Sequence, residues 1–191
     1  VAHLCQQRTN SLHISWSAWA DVGMAVRGGM KHVLTEKGID LLPVDFCAKQ
    51  TVALVEHRAL GEVVITGALG NLRLPTSQPM LREIRITSKG VAGYTTLHPN
   101  THKWLLDHAI GDTPVLPGVI GLELMVQTFQ SVHHNQPIGG ISNVQFHRPV
   151  KFHRDQPVDI EILVDILGTT AQCTLFSTRT LAGGRIQQTT H

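Results

Sequence analysis

The sequence predicts an α+β fold, on three observations. One helical period stands out, over 116–133, where Ile120, Leu124, Met125 and Phe129 recur along one side. Two short extended runs precede it, at 81–87 (LREIRIT) and 93–97. Four more follow, at 141–146, 158–167, 172–178 and 185–190, separated by Gly, Pro or Asp turns. Strands, one long helix and then an antiparallel meander is the order of an α+β domain.

The elements before residue 80 read differently. Residues 11–16 (SLHISW) alternate apolar and polar, as a short strand does. Residues 21–24 form a loop, and 25–37 a helix weakened by the Gly28-Gly29 pair. Pro43 starts a second helix carrying Phe46, Val52 and Val55, and Gly61 stops it. A β-branched strand, 62–66 (EVVIT), follows. Gly67, Gly70, Asn71, Pro75, Ser77 and Pro79 then make 67–79 an expected linker. The predicted organisation is therefore 1–66, a linker over 67–79, and a second domain over 80–191. The second domain's helix opens at Pro117-Gly118, where a proline is tolerated because its missing N–H has no partner in a first turn.

Composition narrows the function. The chain has 191 residues, room for one domain and a fragment of another. Sixteen Lys and Arg against fourteen Asp and Glu leave a net charge of +2, which excludes a purely electrostatic nucleic-acid binder. Hydrophobic residues at 42% and charged residues at 16% predict a packed core rather than disorder. No apolar run reaches the roughly 18–20 residues of a membrane span. The start, Val1-Ala2-His3-Leu4-Cys5, lacks an initiator Met, a basic n-region and an apolar h-region, so the chain reads as a piece of a longer cytoplasmic protein. Cys5, Cys47 and Cys173 are odd in number and far apart, which fits neither a disulfide framework nor a CxxC zinc site. With no H-E-x-x-H pattern either, no metal is expected.

Chemistry concentrates in 97–127, LHPNTHKWLLDHAIGDTPVLPGVIGLELMVQ. His108 lies on a loop just before the helix, and Glu123 lies about one and a half turns inside it. Amides at a helix N-terminus carry partial positive charge and no intrahelical partner. They can hold a carbonyl oxygen that turns negative as the neighbouring C–H is deprotonated. A His and a carboxylate beside them make an acid–base pair.

This stretch resembles the active-site region of hotdog-fold 3-hydroxyacyl dehydratases, whose synthase-embedded members carry H-x-x-x-G-x-x-x-x-P. His108 and Pro117 hold the outer spacing; the glycine is Gly111, and Asp112 stands at the expected glycine position. The block 117–123 (PGVIGLE) also resembles the stand-alone bacterial dehydratases of fatty acid synthesis, where a carboxylate at the Glu123 position is catalytic. In synthase domains the acid is instead an Asp from a second hotdog repeat. Residues 13–25 (HISWSAWADVGMA) resemble the end of a ketoreductase domain of modular synthases, with Trp16, Trp19, Gly23 and Met24 at the family spacing and Ser17 for the usual Gly. Reductase then dehydratase is the order at the C-terminal end of a polyunsaturated fatty acid synthase subunit, with polyketide synthases as near relatives.

The resemblance implies a hotdog domain, an antiparallel sheet wrapped round one long helix, after a C-terminal remnant of an α/β Rossmann-type ketoreductase. It implies dehydration of 3-hydroxyacyl thioesters carried on the phosphopantetheine of an acyl carrier protein. His108 is then the general base, Glu123 a candidate acid, and Pro117 and Gly118 bind substrate. No cofactor is implied for the fragment, and NADPH serves only an intact upstream reductase. Expected partners are the acyl carrier protein domain and a second hotdog repeat or partner subunit, with a homodimer at full length and a fragment inactive by itself. A non-catalytic acyl-binding or scaffold module of the same synthase is the alternative. Thioester hydrolysis is a weaker one, since it uses a carboxylate-activated water without such a His.

Overall fold

The computed structural model describes residues 10–24, 27–133, 137–153, 156–180 and 184–191. Cys5 and the first two residues of the helix expected over 25–37 lie outside them. The chain divides into two compact units, one of Val1–Leu72 with Ile86–Ser88, the other of Arg73–Arg85 with Lys89–His191.

In the first unit, strand β1 (Leu12–Trp16) pairs in parallel with β2 (Gly61–Ile65), His13 opposite Glu62 and Ser15 opposite Val64. Parallel strands need a long crossover, here supplied by helices α1 (Met30–Glu36) and α2 (Val44–Glu56). The glycines thought to weaken the first helix instead precede it, Gly28 at φ 62 and Gly29 at φ 79, which is why α1 is short. Trp16 and Trp19 meet edge to face at 5.4 Å. Cys47 is the residue of α2 that is buried, whereas Phe46, Val52 and Val55, the apolar residues that signalled the helix, are 41%, 54% and 64% exposed. The stretch expected as a linker is partly built into structure. Ala68 N–H donates to Asp40 Oδ2 at 2.9 Å in the first unit, and Leu74–Pro75 forms a short strand, β3, in the second.

The second unit is a six-stranded sheet across which one helix lies. With β4 (Glu83–Ile86), β5 (Gly90–Leu97), β8 (Val158–Leu167), β9 (Thr170–Thr180) and β10 (Ile186–Thr190), the order is β10-β9-β8-β5-β4-β3. The registered pairs are antiparallel, with Tyr94 facing Glu161 and Ile162 facing Leu175. Alternation along β8 sends Val158, Ile160, Ile162 and Val164 into the core and Asp159 and Glu161 to the other face. On that outer face the Arg73 guanidinium lies 3.9 Å from the centre of the Tyr94 ring, and Tyr94 Oη receives Arg85 Nε–H at 3.0 Å and donates to Glu161 at 2.9 Å.

Helix α3 (Gly118–Gln130) packs on β5, β8 and β9. Its buried residues are Gly121, Leu124, Gln127 and Thr128, so the inward face is smaller and more polar than the apolar stripe read from the sequence. Small residues let helix and sheet approach closely. A Cβ on Gly93, in the middle of β5, would lie 2.3 Å from Thr128 Oγ1 and 3.1 Å from Thr128 Cβ. Thr128 cannot yield, being fully buried, β-branched and bonded to Leu124 O at 2.7 Å. Gly93→Ala is therefore expected to cost about 1–3 kcal/mol by overpacking, read as a lower unfolding midpoint in thermal denaturation; an unchanged midpoint would contradict this helix–sheet contact.

Residues 141–146 were expected as a strand and are not one: they are exposed and carry no strand pairing. Asn143 at φ 55 breaks the extended backbone. Backbone pairing with the rest of the domain begins just beyond. Leu116 N–H donates to Val150 O at 3.0 Å, Phe152 N–H to Pro114 O at 2.9 Å, and Val150 and Phe152 are buried. Arg148 O accepts from His191 Nδ1 at 2.9 Å, while His191 Nε2 meets Ser177 Oγ at 2.7 Å. Burial holds this imidazole below its ordinary range, with Arg179 and Arg148 pushing the same way against the hydrogen bond to Arg148. The neutral ring donates from Nδ1 and accepts at Nε2.

Candidate active site

The candidate segment, 97–127, is built from a series of short local structures. After β5, His98 O accepts from His102 N–H at 2.8 Å and from Thr101 N–H at 3.1 Å, and His98 Nδ1 accepts from Asn100 N–H at 3.0 Å. His102 Nδ1 in turn accepts from His98 N–H at 3.2 Å. These two imidazoles thus fasten their own turn. A 3-10 turn, Lys103–Asp107, buries Leu105 and ends in His108, whose backbone is extended at φ −128 and ψ 95.

Ala109–Ile110 (β6) and Thr113–Pro114 (β7) then pair as a hairpin with Gly111-Asp112 as its two-residue loop. Gly111 has φ 59, whereas Asp112 is not among the residues of positive φ. A tight hairpin of this kind needs glycine at its first central position. Gly111 therefore stands where the turn demands it, and Asp112 occupies a position that takes an ordinary residue. The hairpin returns the chain so that Val115 N–H donates to His108 O at 2.9 Å, two residues before Pro117.

Pro117, at φ −59 and ψ 137, precedes α3 without a side-chain cap. The first intrahelical bonds are Ile120 N–H and Gly121 N–H to Pro117 O, at 3.0 and 3.3 Å. The Gly118 and Val119 amides have no carbonyl within the helix to reach. His108 and these two amides are thus delivered by one hairpin and the helix it leads into. The imidazole of His108 is exposed. A cavity of about 460 Å³ lies beside the first turn of α3, lined by Met80, Leu81, Leu97, His102, Trp104 and Ile120; His108 is not on its wall.

Glu123 is exposed too, and it is tied to its own helix. Gln127 Nε2–H donates to Glu123 Oε1 at 2.7 Å, and Gln127 Oε1 accepts from Met80 N–H at 2.9 Å. Gln127 is 4% exposed, so its amide orientation is fixed from both ends. This fixes the position of Glu123 Oε1 against its own helix. Among the described residues no hydrogen bond or ion pair joins it to His108. Sequence reasoning missed Gln127, although its spacing of four from Glu123 is the distance at which helix side chains meet. It also missed Phe146, whose ring rests on Gly118. Burial pushes the thiols of Cys47 and Cys173 above their ordinary range, which disfavours the thiolate at both.

Comparison with curated proteins gave no match. Among solved structures the chain is similar to one from work on dehydratase substrate selection for the borrelidin and fluvirucin polyketide synthases, at 24% identity and TM-score 0.52 over 62% of this chain and 41% of that one. It is similar also to the bifunctional dehydratase-cyclase domain in ambruticin biosynthesis, at 20% and 0.52 over 62% and 43%. A third is the dehydratase domain from the terminal module of the rifamycin polyketide synthase, at 18% and 0.51 over 62% and 41%. The chain therefore spans about two fifths of each of these structures, and the likeness is one of fold: the second unit is a hotdog. The sequence profile described as polyketide synthase dehydratase domain matches residues 79–178, just over half of the chain, and the chain belongs to that family.

Proposed function

We propose that this chain carries the first hotdog repeat of a dehydratase that removes water from 3-hydroxyacyl thioesters held on the phosphopantetheine of an acyl carrier protein. The observation that supports it most is the hairpin that ties His108 to Val115 and leads directly into the uncapped amides of Gly118 and Val119. His108 Nδ1 or Nε2, as the general base, takes the proton from C2. The two amides hold the thioester oxygen as it gains negative charge. An acid protonates the 3-hydroxyl, the C3–O bond breaks, and water leaves behind a 2,3-double bond. We assign that acid to an Asp from a second repeat or partner subunit, with Glu123, bonded to Gln127 on its own helix and not to His108, as structural. Such an acid must be kept protonated by an apolar surrounding.

The first unit is read as the C-terminal remnant of a ketoreductase. Two parallel strands and a helix with Phe46, Val52 and Val55 in solvent suit the edge of a larger α/β domain better than a finished one. NADPH belongs to that upstream domain alone. Reductase followed by dehydratase suits a polyunsaturated fatty acid synthase subunit or a polyketide synthase, homodimeric and cytoplasmic, in which this segment by itself is inactive. The exposure of His108 away from the cavity favours a second reading, a non-catalytic acyl-binding module.

One assay separates these. In the full-length protein, water loss from a 3-hydroxyacyl thioester on the carrier protein is followed by mass spectrometry. Turnover is expected, and Glu123→Gln is expected to lower it less than about tenfold, below the 100-fold and more that losing a general acid costs. No turnover at all leaves the binding module. A loss as deep as that of His108→Ala, in a folded Glu123→Gln variant, makes the helix carboxylate the acid.

A further inference from the structure

We propose that Phe146 forms one wall of the reaction site and disfavours substrates that carry a substituent on C2. The inference rests on the dehydratase reading above and adds a specificity residue to it. A Cβ built on Gly118 would lie 2.7 Å from Phe146 Cε1 and 2.9 Å from Cζ. The ring therefore stands against Gly118, the first residue of α3, to whose amide the reading above assigns the thioester oxygen.

Folding does not account for that placement. Phe146 is 71% exposed, so most of the ring stays in water and contributes little to the core. Yet its position is built. Two residues on, Arg148 O is held by His191; Val150 O and Phe152 N–H then bond to Leu116 and Pro114, the run that enters Pro117. Ring and helix start are carried by one antiparallel pair of segments, bridged at Val115 and Lys151.

The consequence for substrate follows from bond lengths. With the thioester oxygen on the amides, the thioester carbon is one bond away and C2 is the next atom. A carbon added to C2 on the side of Gly118 that the ring occupies competes with it for space, and that side does not admit even a Cβ on Gly118. Unsubstituted C2 is accommodated; a methyl branch there meets Phe146.

The test compares Phe146→Ala and Phe146→Leu with the unaltered full-length protein. The probes are the pantetheine thioesters of 3-hydroxybutyrate and of both C2 epimers of 2-methyl-3-hydroxybutyrate. The expected result is a wild-type preference for the unsubstituted thioester in kcat/KM. Phe146→Ala shifts that ratio toward the methylated probes by about tenfold or more, the usual discrimination of a pocket against one carbon, and Phe146→Leu falls between. An unchanged ratio, or an equal fall on all probes, overturns the wall while leaving the dehydratase reading intact. Failure of the wild type on all probes removes that reading and the wall with it. Phe146→Leu, which keeps an apolar side chain, decides the matter should the Ala variant fold poorly by circular dichroism.

Discussion

His108→Ala in the full-length protein is expected to lower dehydration turnover by about 100-fold or more, the loss that follows removal of a positioned general base. The backbone makes this a local test. His108 O is bonded by Val115 N–H and its own N–H reaches Leu105 O at 3.3 Å, and both bonds survive the substitution. The side chain is exposed, so no core contact is lost. A drop in kcat with an unchanged unfolding midpoint is therefore chemical in origin. His108→Gln, which keeps a polar side chain but cannot take the proton, is expected to be as poor as Ala. Turnover that persists in either variant takes His108 out of the mechanism.

How far this site could be read in advance depended on how local its causes are. The strand over 158–167 lies where its alternation puts it, because every second residue answers to the same buried face. The helix was visible for a similar reason, and its start for a local one, Pro117. The position of Gly111 was visible as a slip against the family spacing; its meaning was not, since only the hairpin register assigns the positive φ to that residue. Residues 141–146 misled because Ile141, Val144 and Phe146 lie between Gly140 and Pro149 as a strand lies between turns, while Asn143 turns the backbone out of line. Gln127 and Phe146 depend on contacts with Met80 and Gly118, 47 and 28 positions away in the chain, and no periodicity carries such contacts. The side that faces the helix was misjudged for a related reason. A glycine or threonine reads as neutral in sequence, yet Gly93 and Thr128 set how near the sheet and helix come.

Phe152→Ala is expected to remove more stability than any other single change considered. The side chain is 1% exposed and the largest of the fully buried ones among the described residues, and truncating a buried Phe costs about 3–5 kcal/mol. Against a domain stability of about 5–15 kcal/mol that is a substantial fraction. Hydrogen exchange in the full-length protein reads it directly. Amides of α3 and β8 that exchange by opening of the whole domain should do so about 100-fold faster or more, since every 1.4 kcal/mol is tenfold. The same change loosens the pair of segments 114–116 and 150–152, because Phe152 N–H itself bonds Pro114 O and the next bond, Leu116 N–H to Val150 O, belongs to the same pair. Pro117 and Phe146 flank that pair. Phe152→Ala should therefore also reduce turnover below what the folded fraction accounts for, whereas Phe146→Ala should leave exchange in β8 unaltered. Exchange in α3 and β8 that stays at the wild-type rate would mean that Phe152 does not anchor this side of the domain.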